Sequence, residues 1–138
     1  METTTALRES AWLLQSLVNP FPVAGDLVLE GGRISYTLTS DAKSAAVGWL
    51  EKQLGVDALD IKVASGQRVV VFDEAVADVK VDWPLSLGKV GMRIKTSTRD
   101  WIISLDYPSG GAIWQTLNMV QGRKKARAWR EGLAAAAA

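Results

Sequence analysis

Residues 90–107, VGMRIKTSTRDWIISLDY, and residues 112–133, AIWQTLNMVQGRKKARAWREGL, decide the reading of this chain. In the first stretch Met92 and Ile94 alternate with Arg93 and Lys95, and Trp101, Ile103, Leu105 and Tyr107 mark every second position. A period of two is that of a strand with one buried face, and the polar Ser97–Asp100 run supplies the reversal between two such strands. The second stretch has helical spacing. At 100° per residue Ile113, Leu117 and Val120 share a face, whereas Trp129 and Leu133 fall on roughly the opposite side. The first three turns of that helix are therefore expected to dock on the sheet, while its basic end projects, kinks or meets something else. Antiparallel strands closed by a long helix describe a curved sheet plugged by that helix.

Working outward, RVVVFD (68–73) and ADVKVDW (77–83) read as two more strands, the second with Ala77, Val79, Val81 and Trp83 on one side. Further upstream, Leu27 and Leu29 alternate with polar neighbours, Gly31-Gly32 supplies a two-residue primed turn, and Ile34, Tyr36 and Leu38 answer on the return strand. Between this hairpin and residue 68, Ala46, Val47, Leu50 and Leu54 make the apolar stripe of a helix over about 42–54, with Gly55 as its C′ residue. Ile61–Val63 reads as a short strand. Residues 5–18 place Leu7, Ala11, Leu14, Leu17 and Val18 at spacings of three and four, which predicts an N-terminal helix ended by Asn19-Pro20.

Composition narrows the chemistry. The chain has 138 residues, no His and no Cys, with 16 Lys plus Arg against 15 Asp plus Glu. Thiolate catalysis, disulfides and Cys-based zinc sites are excluded, and no net field favours nucleic acid. Phosphate-loop, nucleophile-elbow and calcium-loop motifs do not occur. The carboxylate groups Asp73-Glu74 and Asp78/Asp82 read as the solvated side of strands rather than as an acid–base pair. With Glu2 and Glu9 and no apolar core behind a basic start, the N-terminus is not read as a signal peptide, and no apolar run reaches membrane-span length. A cytoplasmic, non-catalytic protein without a cofactor is expected, with residues 1–133 as a single domain and 134–138 as a disordered Ala tail.

The segments RISYTLT (33–39), VVVFDEAVADVKVDWP (69–84), GMRIKTSTRDWIISLDYP (91–108) and IWQTL (113–117) together resemble the pleckstrin-homology-like fold, in particular bacterial PH-like and GRAM-type modules. The resemblance covers about 25–117. It implies an α+β fold in which a curved antiparallel sheet, or partly open barrel, is capped by a long C-terminal helix. The N-terminal helix and the helix near 42–54 would be additions to that plan. Lipid-headgroup binding in such modules uses several basic residues around the first hairpin loop, where this chain has Gly31-Gly32 and only Arg33. The helix-grip fold of the START type also combines such a sheet with helices, around an apolar ligand cavity, and stands as the alternative architecture for a small-molecule carrier.

Two features suggest a binding surface. Arg123, Lys124, Lys125, Arg127 and Arg130 form the one local concentration of charge, interleaved with Trp129. Such a run suits an anionic lipid surface or a nucleic acid, although cations at a helix C-terminus are also favoured by the helix dipole. Trp12 and Trp129 both fall off the apolar stripes of their expected helices, as tryptophans at protein interfaces do. The reading is a binding or assembly module, in contact with a protein partner or with itself as a homo-oligomer.

Overall fold

A computed structural model describes residues 6–14, 23–39, 47–55, 59–84, 91–105 and 119–137. The elements are β1 (Leu7–Leu14), β2 (Val23–Glu30), β3 (Arg33–Leu38), α1 (Val47–Leu54), α2 (Leu59–Ala64), β4 (Val69–Ala75), β5 (Lys80–Asp82), β6 (Gly91–Lys95), β7 (Asp100–Ser104) and α3 (Met119–Ala137). All seven strands join one antiparallel sheet in the order β4-β3-β2-β1-β7-β6-β5. The class is α+β: an open antiparallel sheet with a helix at the C-terminal end.

Two hairpins form where the local chemistry demands them. Gly31 and Gly32 have φ of 61° and 74°, the left-handed geometry of a primed turn, and Glu30 pairs with Arg33 across it. Between β6 and β7, Lys95 pairs with Asp100, and the Thr96 hydroxyl both accepts from the Arg99 N–H and lies 2.8 Å from the Arg99 carbonyl.

Several expectations are corrected. Residues 7–14 are a strand, not part of an N-terminal helix. The Leu7, Ala11 and Leu14 spacing has a competitor, the odd-numbered set Leu7, Ala11 and Leu13, which packs with the core. The odd set wins because β1 is the central strand, pairing with β2 on one side and β7 on the other. Two ladders outweigh the few tenths of a kcal/mol per residue by which Leu, Ala, Arg and Glu prefer helix. Ile61–Val63 is helical rather than extended. Leu59 and Val63 are buried one turn apart while Ile61 is 66% exposed, a period of four rather than two. The strand expected over 77–83 starts late: Val76–Asp78 form a 3-10 turn, with the Val76 N–H donating to the Gly32 carbonyl, and only Lys80–Asp82 pair with β6. The expected helix near 42–54 is seen over 47–54, capped by Gly55 at φ 66°. Residues 42–46 lie outside the described residues, as do 15–18 and Tyr107.

The sheet is strongly curled. Phe72 on edge strand β4 stacks on Trp101 of β7 with ring centroids 5.9 Å apart. These strands stand four places apart in the sheet, about 19 Å if it were flat at about 4.8 Å per strand. The arms β2–β4 and β5–β7 therefore face each other across the core, with β1 in the bend. Tyr36 of β3 stacks on Phe72 at 6.2 Å and reaches over β2. Its hydroxyl accepts from the Leu13 N–H at 3.1 Å and lies 2.7 and 3.0 Å from the Val23 and Ala11 carbonyls. Residue 25 must be glycine for this, because a β-carbon there would sit 2.5 Å from Tyr36 Cζ and 2.6 Å from the Thr37 carbonyl oxygen. Burial pushes the Tyr36 phenol far above its ordinary range, so it serves as a neutral hydrogen-bonding post.

Helix α3 crosses the concave face. Ala126, Trp129 and Leu133 are buried, and Gly132 lies against Leu7 and Leu29, so close that a β-carbon would come within 2.7 Å of Leu7 Cδ1. The half of the helix expected to project, kink or meet something else is thus docked on the sheet. Ala134–Ala137, expected as a disordered tail, continue α3 as helix. The docking positions expected at Ile113, Leu117 and Val120 lie outside the described residues or side chains.

Candidate binding groove

Because the sheet is open, its outermost strands β4 and β5 each have one side without a ladder partner among the described residues. The two edges differ. In the β4 ladder the register shifts between Tyr36 and Thr37, leaving a bulge at Val71, a device that twists an edge away from further pairing. β5 is short and regular, and it borders α3. Between them runs a groove of about 240 Å3, lined by Val76, Val79, Val81 and Trp83 on one wall and by Arg130, Leu133, Ala134 and Ala137 on the other.

Local sequence builds each wall. The 3-10 turn buries Val76 and delivers the chain to β5 with Val79, Val81 and Trp83 at every second position, all half-buried. On α3, Arg130, Leu133, Ala134 and Ala137 recur at spacings of three and four, and the two alanines leave room for a visitor's side chains. The Arg130 guanidinium sits 4.8 Å from the Trp83 ring, a cation–π contact between the two walls of the groove.

The candidate residues from the sequence do not form one surface. Trp129, expected at an interface, is 1% exposed and belongs to the core; the apolar set after Gly122 is the docking face. Trp12 is half-buried opposite Ala24 and Ser104 on the face of β1 turned away from α3. Lys125 lies 3.6 Å from Glu9 on the inner face of β1. Arg130 belongs to the groove. Arg123, Lys124 and Arg127 are exposed, and Arg123 and Arg127 continue the Arg130 row along the helix.

Sequence reading missed Trp83, Val79 and Val81 as wall residues, although their alternation was visible. The missing information was that β5 has no outer ladder partner among the described residues and that α3 lies beside it. A second recess, of about 250 Å3, opens on the convex face between Arg8, Val28, Ser35, Arg68 and the Arg33–Asp73 ion pair. Its cations are partly offset by Glu30 and Asp73. Among the described residues no group of His, Cys, Asp or Glu side chains converges on a metal-sized point, and no helix is long and apolar enough to cross a membrane. No family model, curated protein or solved structure matches the chain.

Proposed function

We propose that this chain is a PH-like, non-catalytic protein-interaction module whose working surface is the groove between β5 and α3. One observation carries the reading: a trough lined by Val, Trp, Leu and Ala side chains together with Arg130 runs beside β5, an edge strand with no outer ladder partner among the described residues. A strand edge offers backbone donors and acceptors that a polypeptide satisfies by adding a strand, and alternate side chains of that strand fill the adjoining trough. Trp and Arg, the pair that meets across the groove, are among the residues most often responsible for interface energy. A second copy of the chain is one partner of this kind, which would make the module self-associating.

The PH-like assignment draws support from the curled meander and the terminal helix in its concave face. The pair α1–α2 after the first hairpin is what the helix-grip alternative calls for. Against a carrier, the space under α3 is taken up by Trp129, Tyr36, Leu27, Leu29 and Ile34, all fully buried.

The reading is tested with a phage-displayed random peptide library panned on the immobilised protein. Selected peptides are expected to lose binding to Trp83→Ala and to Ala134→Gln, an exposed helix position where a longer side chain fills the trough. Equal binding to wild type and both variants, or an empty selection, overturns it.

A further inference from the structure

We infer that the groove takes an acidic extended segment: a strand with small apolar residues at alternate positions and carboxylates beside them, laid along β5. This rests on the groove being the working surface and adds the chemistry of its occupant. Between Met119 and Ala137, α3 carries five cations and one carboxylate, Glu131, while the rest of the chain has 11 Lys plus Arg against 14 Asp plus Glu. The five are not equivalent. Lys125 faces Glu9, and Lys124 is exposed on the neighbouring row. Arg123, Arg127 and Arg130 stand at spacings of four and three in one row with Ala134 and Ala137, the small residues of the α3 wall. An extended segment that fills the trough and runs on toward the start of α3 therefore passes Arg130, Arg127 and Arg123 in turn. Lys80 is exposed on β5 itself.

Among the described residues, the carboxylates on the opposite side are Asp82, engaged through one oxygen by Arg93 at 2.8 Å, and Asp78, exposed on the 3-10 turn, against three arginines. The valine and alanine side chains of the trough and the strand edge favour a polypeptide over other polyanions: a membrane surface or a nucleic acid would use the arginines and leave the trough and the ladder unused. Arginine suits carboxylate because its planar fork binds both oxygens.

The probe is the same random peptide library, with single-stranded oligonucleotides and phosphatidylserine vesicles as separate arms. Peptides dependent on Trp83 are expected to be enriched in Asp and Glu. Their affinity should fall about tenfold or more in Arg123→Glu/Arg127→Glu and weaken with salt, as charge-steered contacts do. Both substitutions are at exposed positions, and unchanged circular dichroism confirms the fold. Groove-dependent peptides that are neutral or basic, or that ignore the arginine variant, overturn the acidic occupant while leaving the groove intact. Peptides indifferent to Trp83→Ala sink both readings. Tight vesicle or oligonucleotide binding lost in the arginine variant but not in Trp83→Ala assigns the row to a different partner and overturns the inference.

Discussion

Tyr36 and Gly25 form an interlocked pair: the phenol crosses β2 over a residue that has no side chain and ends on the backbone of β1. A β-carbon at residue 25 would stand 2.5 Å from the ring, and the hydroxyl meets three backbone groups of β1 and β2. The contact ties β3 to the centre of the sheet and helps to set its curl.

Gly25→Ala should therefore destabilise the protein by about 2–3 kcal/mol, toward the upper end of overpacking costs because a backbone carbonyl blocks the obvious escape. Tyr36→Phe should cost about 1–3 kcal/mol by leaving the Leu13 N–H without its acceptor. Urea unfolding of both variants checks this. A Gly25→Ala protein as stable as wild type would mean that the ring lies elsewhere.

The same phenol makes the fold sensitive to alkali. Burial holds its native pKa well above the unfolded value of about 10, so the unfolded state loses its proton first. The stabilisation from this group is complete below pH 10 and declines above it, at up to about 1.4 kcal/mol per pH unit. Unfolding midpoints between pH 9 and 11 should fall more steeply for wild type than for Tyr36→Phe.

Trp129→Ala should cost about 3–5 kcal/mol, as large core aromatics do, and should reduce any association only through loss of fold. Chemical denaturation gives the answer. A change of under about 1 kcal/mol would place the indole at the surface.

The Glu9–Lys125 contact between β1 and α3 is partly exposed, with N–O 3.6 Å. Glu9→Gln is expected to change stability by less than about 1 kcal/mol, an effect that shrinks further in 0.5 M salt. Thermal melts at two salt concentrations measure it.

How far the chain could be read depended on the range of the forces involved. The β2–β3 and β6–β7 hairpins were legible because turn residues and alternation lie within a few positions of each other. β1 was not, because its leucines fit both periods and the choice was made by ladders to Val23–Leu29 and Ile102–Ser104, far off in sequence. α2 is too short for its period to outweigh an Ile-Lys-Val run. Trp129 was misplaced because the docking face was carried forward from Ile113, whereas α3 is held by Ala126, Trp129 and Leu133. The basic row was visible from the start. Its neighbour, the trough, was not, since Trp83 and Arg130 meet only after the sheet has curled.

Backbone amide exchange at Lys80–Asp82, recorded free and saturated with a groove-selected peptide, tests the central claim most directly. Strand addition predicts new protection concentrated on β5, with smaller changes where α3 lines the trough. Unaltered β5 exchange with protection elsewhere, at the convex recess or around Trp12, would contradict it.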